Sequence, residues 1–183
     1  MDYFYDLENT VKQALAEDVG AGDLTSELVE ETAKATAKII AKESAVFCGK
    51  AWAKETIFQV DPEIRTEWQV EDGEEVASGE ILVTLDGKAR SILTAERTML
   101  NFMQFLSAVA TKTRYLVEKI KHTNSQLLDT RKTIPGLRLA QKYAVKIGGG
   151  QNHRIGLFDA FLIKENHIKA AGGISKAIEK AKK

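Results

Sequence analysis

Apolar and polar positions change period several times along this chain, and each change predicts a change of element. Leu7, Val11 and Leu15 recur every four residues, which predicts a short amphipathic helix over Leu7–Glu17. Asp18-Val19-Gly20-Ala21-Gly22-Asp23 stops it, because the glycines favour a loop. Thr36–Phe47 is rich in β-formers and alanine and ends before Gly49, so a strand is expected there. Ala51–Val60 reads as a helix with Trp52, Thr56 and Val60 on one side. From Glu63 to Leu93 the runs Ile64–Trp68, Ile81–Leu85 and Arg90–Leu93 alternate with Asp72-Gly73, Ser78-Gly79 and Asp86-Gly87. Those are strand and turn signals, and together they predict a compact antiparallel β-unit.

A long helical stretch follows, from Thr94 to about His122. Met99, Phe102, Met103, Leu106, Val109, Leu116, Val117 and Ile120 fall at helical spacing in it, and the pattern allows a break near Leu106–Ala108. Gln126-Leu127-Leu128 then reads as a short strand ending at Asp129. Pro135 stands where a first helical turn begins, Leu137, Ala140, Ala144 and Ile147 continue that helix, and Gly148-Gly149-Gly150 ends it. Ala160-Phe161-Leu162-Ile163 reads as a second apolar strand, with more helix from about Ser175. Apolar strands separated by a helix predict a parallel βαβ unit, so the chain begins as α+β and ends as α/β.

Composition narrows the function classes. With 183 residues the chain can bury one sizeable core or two modest ones. Lys and Arg number 26, as do Asp and Glu, so no whole-molecule field draws the protein to nucleic acid or membrane, and electrostatic function has to come from local clustering. The lone Cys48 excludes an internal disulfide framework and a multi-cysteine zinc site; its apolar neighbours make it a core residue, and a reducing cytoplasm its natural setting. The start of the chain lacks a basic region followed by an apolar run, and no apolar segment is long enough to cross a bilayer.

Local clustering is pronounced in one place. Gln126–Leu128 runs into Asp129-Thr130-Arg131-Lys132-Thr133, and Ala160–Ile163 runs into Lys164-Glu165-Asn166-His167. Parallel sheets bind ligands at the carboxyl ends of their strands, where Arg131, Lys132 and Lys164 would converge. The helix expected at Pro135 adds free N–H groups and a positive dipole end, and the Gly148–Gly150 loop carries His153 and Arg154. From Arg131 to Lys169 basic residues outnumber acidic ones, which points to an anionic ligand. Arg suits planar carboxylates and Lys suits phosphate, so a ligand pair carrying both groups is expected. Arg138, Lys142 and Lys146, four residues apart, have the spacing of a solvated helix face. Arg97 falls in the first turn of a helix opened by Thr94, where a cation opposes the macrodipole, and a residue that breaks a local rule is a candidate functional group.

Four long motifs, collinear along the chain, carry a family resemblance. They are Glu96-Arg97-Thr98-x-Leu100-Asn101, Asp129-Thr130-Arg131-Lys132-Thr133-x-Pro135-Gly136-Leu137-Arg138, Gly148-Gly149-Gly150-x-Asn152-His153-Arg154-x-Gly156-Leu157-x-Asp159 and Leu162-Ile163-Lys164-x-Asn166-His167. With Glu17-Asp18-x-Gly20-x-Gly22-Asp23-Leu24-Thr25 they resemble the quinolinate phosphoribosyltransferases.

That resemblance implies a fold, an α+β N-terminal open sandwich over residues 1–106, with a bridging helix, followed by an α/β-barrel-type domain of which residues 107–183 are the first part. It implies a pentosyl transfer in NAD biosynthesis: quinolinate and phosphoribosyl pyrophosphate give nicotinate mononucleotide, pyrophosphate and carbon dioxide, with magnesium as cofactor. It implies substrate binding by Arg97, Thr130, Arg131, Lys132, His153, Arg154 and Lys164, with Lys132 and Lys164 as the catalytic cations. It further implies a cytoplasmic homodimer in which Arg97 crosses from the second subunit.

Departures from the family pattern are also visible. Glu165 stands where the family usually has Asp. Family members continue well past the position of Lys183, and their metal- and ribose-binding acids lie there; no metal ligand is therefore expected in this chain, and the 183-residue chain alone is expected to be inactive. Two other classes compete. A pyrophosphorylase family associated with molybdenum transport shares parts of the Arg-Lys-Thr and His-Arg motifs. The stretch Glu71-Asp72-Gly73-x-x-Val76-x-x-Gly79-x-x-Leu82 resembles a biotinyl or lipoyl hairpin, but Lys88 in Asp86-Gly87-Lys88-Ala89 does not stand in the attachment context such a hairpin needs.

Overall fold

The computed structural model describes residues 1–182 and divides into two compact units, Met1–Asn152 and a smaller one from His153 onward. In chain order the first unit contains α1 (Leu7–Val19), β1 (Lys34–Ile40), β2 (Ala45–Val46), α2 (Lys50–Val60), β3 (Arg65–Trp68), β4 (Glu75–Val76), β5 (Ile81–Lys88), α3 (Ala89–Ile120) and α4 (Arg138–Ile147). The second contains α5 (Glu165–Ala171) and α6 (Ile174–Ala181). The architecture is mixed α and β throughout.

Three strands form an antiparallel sheet in the order β1-β5-β3. Its register puts Ala37 opposite Leu85 and Ile39 opposite Val83, so alternate residues of β1 and β5 turn to one face. Val83 and Leu85 are fully buried there, against Phe47, Ile57, Met99 and Met103. The expected strand Thr36–Phe47 is two strands: β1 ends at Ile40 after a bulge, and Ala45–Val46 pairs with β4 in a separate ladder. Asp86-Gly87, expected as a turn, lies inside β5. Glycine lets the strand run close to Ile64, whose Cγ1 would stand 3.0 Å from a Cβ at this position. Lys88, exposed and paired with Glu63 at 3.3 Å, ends β5 where it passes straight into α3, so it does not sit at the tip of a hairpin.

Helix α3 organises the unit. Its 32 residues run about 48 Å without the break allowed near Leu106–Ala108. One side, Ile92, Met99 and Met103, closes the sheet core; another, Phe102, Leu106 and Ala110, packs on Val11, Cys48, Trp52, Ala140 and Ala144. Arg90–Leu93, expected as a strand, is its first turn. The burial of Ile92 beside an exposed Leu93 follows from helical geometry, which turns adjacent residues about 100° apart.

The carboxyl side of the chain differs more. Leu128 and Gln151 form a parallel bridge on either side of α4, which is the smallest form of the expected βαβ crossover. Its second arm is Gln151, not Ala160–Ile163. That segment takes no strand conformation, since a strand needs a hydrogen-bonded neighbour and none of the described residues pairs with it. Phe161 remains exposed. Helix α4 starts at Arg138, three residues later than expected, because Pro135-Gly136 turns the chain with Gly136 at φ +81°. Within the smaller unit, Asp159 accepts the N–H groups of Ile155 (2.7 Å) and Gly156 (3.0 Å), and α5 meets α6 at Gly172-Gly173.

Candidate active site

The segment Asp129–Thr133 leaves the Leu128 bridge and is held from beneath. Asp129 N–H donates to Gln151 O (3.1 Å), Thr130 Oγ1 accepts the Lys132 N–H (3.1 Å), and Thr133 Oγ1 accepts from Arg138 Nε (3.1 Å). Ile134 N–H donates to Gln141 Oε1 at 2.7 Å. The segment is thus tied to the first turn of α4, whose positive dipole end lies at Leu137–Arg138 and not at Pro135.

Arg131 carries the most informative atom of the segment. Its Nε–H is buried and has no acceptor among the described residues. An unpaired buried donor costs about 1–3 kcal/mol, more when charged, so this atom stands out among the buried polar groups of the described residues. Thr130 and Lys132, on either side, are exposed.

Lys142 overturns the expectation of a solvated Arg138/Lys142/Lys146 face. Its side chain is 1% exposed, and Nζ donates to Asp129 Oδ1 at 2.7 Å. Asp129 Oδ2 accepts from Asn152 Nδ2 (2.9 Å), Asn152 Nδ2 also donates to Lys142 O (2.9 Å), and Tyr3 OH donates to Asn152 Oδ1 (2.5 Å). Burial, and then the Asp129 charge, hold the Tyr3 hydroxyl above its ordinary pKa. Tyr3 packs edge-on against Tyr143, whose hydroxyl donates to Asp72 Oδ2 at 2.7 Å and is itself pushed up by burial. Asp72 Oδ1 accepts the N–H groups of Gly49 and Lys50 at the start of α2. Sequence reading missed Lys142 and Tyr3; the available signal was Asp129, an acid standing at the head of a cationic run.

Arg97 is also placed differently from expectation. Helix α3 begins at Ala89, so Arg97 lies in its third turn and the opposed-dipole argument falls away. It is exposed and lines a cleft of about 350 Å³ with Asp18, Asp23 and Thr94, to which no residue of the Asp129–Thr133 segment contributes. Asp23 Oδ1 accepts the Thr25 and Ser26 N–H groups, its Oδ2 accepts from Thr94 Oγ1 (2.9 Å), and Thr98 Oγ1 donates to Asp18 Oδ2 (3.2 Å). The Glu17–Thr25 motif therefore clamps its loop onto α3 on both sides of Arg97.

His153, Arg154 and Lys164 belong to the second unit. His153 and Lys164 are exposed, Arg154 Nη1 donates to Ala160 O (3.2 Å), and the Lys164 N–H caps α5 by donating to His167 Nδ1 (3.0 Å). Among the described residues no three His, Cys, Asp or Glu stand close enough to hold a metal ion, and no helix is long and apolar enough to cross a membrane.

Residues 23–107 match the model of the quinolinate phosphoribosyl transferase N-terminal domain, and residues 109–183 that of its C-terminal domain. The chain is 46% identical over 176 residues to quinolinate phosphoribosyltransferase (decarboxylating) 1 of Nicotiana glauca, covering 95% of this chain and 50% of that one. It is 41% identical to a probable carboxylating nicotinate-nucleotide pyrophosphorylase of Bacillus subtilis, covering 96% of this chain and 61% of that one. The solved nicotinate-nucleotide pyrophosphorylase of Francisella tularensis superposes with a TM-score of 0.93 at 53% identity, over 96% of this chain and 62% of that one. NadC of Streptococcus pyogenes gives 0.93 at 38% identity, over 98% and 64%. The chain spans about half the length of the plant relatives it matches.

Proposed function

The chain belongs to the quinolinate phosphoribosyltransferase family, and from that premise we propose that the whole protein transfers phosphoribose from phosphoribosyl pyrophosphate to quinolinate. The pyridine nitrogen attacks the anomeric carbon as its bond to pyrophosphate breaks. The ribosylated ring then loses its 2-carboxylate as carbon dioxide, and the electron pair left on the ring takes a proton to give nicotinate mononucleotide. No side-chain nucleophile is needed, and Cys48, buried with its pKa pushed up, is not one.

The observation that carries this reading is the Arg131 Nε–H, buried and unpaired beside exposed Thr130 and Lys132. A guanidinium in that state is a fitting partner for a ring carboxylate. Arg131, His153 and Arg154 are assigned to the two carboxylates, Thr130 to the lining of the site, and Lys132 and Lys164 to the phosphates and the departing pyrophosphate. Bringing two mutually repelling anions together is itself a large part of the catalysis.

Arg97 is assigned to the site of a partner subunit, in keeping with an exposed guanidinium whose own cleft is acidic. That assignment makes the working form a homodimer; a domain boundary near Leu106–Ser107, inside α3, and a cytoplasmic location belong to the same proposal. Magnesium, when bound, screens pyrophosphate charge and eases its departure. Among the described residues no group of three or more His, Cys, Asp or Glu stands ready to hold it.

Turnover of quinolinate against other pyridine and aromatic acids by the whole protein tests the proposal. Nicotinate mononucleotide formed from quinolinate alone is the expected result. Preference for another acid would replace it with the molybdenum-transport-associated reading.

A further inference from the structure

Lys142 is a residue that helix physics does not place where it is. It lies between the core residues Ala140 and Ala144 and is 1% exposed, although its ammonium is costly to bury. Stability does not account for it, because a buried ion pair adds little over apolar residues filling the same space. Its position relative to charge does. Asp129 stands two residues before Arg131, and a carboxylate that close is a natural partner for a guanidinium at low dielectric. Such a pairing would quench the cation that the substrate requires. Instead Asp129 Oδ1 is engaged by Lys142 Nζ (2.7 Å) and Oδ2 by Asn152 Nδ2 (2.9 Å), with Asn152 held by Tyr3, while Arg131 Nε is left unpaired.

We propose that Lys142, seconded by Asn152, is a positioning residue that holds Asp129 away from Arg131 and so keeps the Arg131 guanidinium open for a substrate carboxylate. This rests on reading Arg131 as the carboxylate anchor. Lys142 touches neither substrate nor reacting atoms in this account; it acts through Asp129. Removing its charge redirects Asp129 to Arg131, and removing the charges of both residues opens Arg131 again.

The test is calorimetric titration of pyridine-2,3-dicarboxylate into the whole protein, with thermal melts run alongside. Lys142→Met is expected to weaken binding at least about tenfold, with a larger rise in KM for the dicarboxylate than for the phosphoribosyl donor. The double variant Lys142→Met, Asp129→Asn is expected to return to within about threefold of the unaltered protein, although it restores neither the ion pair nor the lost packing. A purely structural role would leave the double variant as weak as the single one. If Lys142→Met does not fold, Lys142→Leu, which likewise offers Asp129 no donor, takes its place with the same expectations. Unchanged binding in the single variant, or folded single and double variants of equal weakness, overturns the inference. An unaltered protein that binds no pyridine dicarboxylate overturns the reading of Arg131 and this inference with it, whereas tight binding by both the unaltered protein and Lys142→Met removes this inference alone.

Discussion

Gly148 closes α4 where it meets α3, and replacing it by alanine would test that contact with a single methyl group. Its φ of −69° is open to any residue, so alanine adds no backbone strain. Space is what it lacks. A Cβ there would lie 2.5 Å from the Ala110 carbonyl oxygen and 2.6 Å from Thr113 Cβ, while carbon contacts settle at about 3.5–4.0 Å. Neither neighbour yields easily: one is helix backbone, and Thr113 is held by its hydroxyl on Val109 O at 2.8 Å. Helix α4 must therefore back away by roughly 1 Å or unwind its last turn. Overpacking of this kind costs about 1–3 kcal/mol, and two rigid neighbours place it near the upper end. At about 2–4 °C per kcal/mol for a chain of this size, Tm should fall by roughly 6–12 °C. Gly79→Ala is the control, with φ +87° and nothing within 4 Å of its Cβ, so it isolates left-handed strain of about 1–2 kcal/mol. Thermal melts followed by circular dichroism give both values. A Gly148→Ala protein that melts with the unaltered one, or above Gly79→Ala, would refute the close α3–α4 contact.

Two further predictions concern titrating groups. Burial, and after it the Asp72 carboxylate, push the Cys48 thiol pKa up, so an aromatic disulfide reagent near pH 8 should leave Cys48 untouched in the native protein and label it fully in denaturant; rapid native labelling would contradict its placement. The Ser26 N–H, and then the Thr94 hydroxyl, hold the Asp23 carboxyl below its ordinary value. Because the folded pKa is the depressed one, the stabilisation is complete above the ordinary aspartate value of 3.8 and is lost as pH falls through the folded value, so Asp23→Asn should flatten the acid limb of the stability profile, and an unchanged limb would count against the clamp.

How far the sequence could be read depended on whether the deciding partner was local. The stripes of α1, α2 and α3 are set by neighbours three and four residues away, so their existence was legible and only their ends moved. Arg90–Leu93 reads as a strand because a short apolar run does not distinguish a strand from a helix; its continuation into α3, with Ile92 in the sheet core, settles the matter. Ala160–Ile163 has the composition of a strand, but a strand exists only with a hydrogen-bonded neighbour. At the site, the cationic run Arg131-Lys132 and the His153-Arg154 pair were visible as residue types. The burial of Lys142 was not, because spacing of four along a helix looks the same on a wet face as over a buried acid, and the acid lies 13 residues earlier in the chain. The Tyr3–Asn152 bond, 149 residues apart, has no local trace at all.

The central claim is that the unpaired Arg131 donor anchors a substrate carboxylate, and the dissociation constant of quinolinate for the whole protein before and after Arg131→Ala tests it most directly. Loss of a charge-assisted pair worth about 1.5–3 kcal/mol predicts binding weaker by roughly ten- to a hundredfold, in a variant that still folds. A folded Arg131→Ala protein with an unchanged dissociation constant would contradict the account.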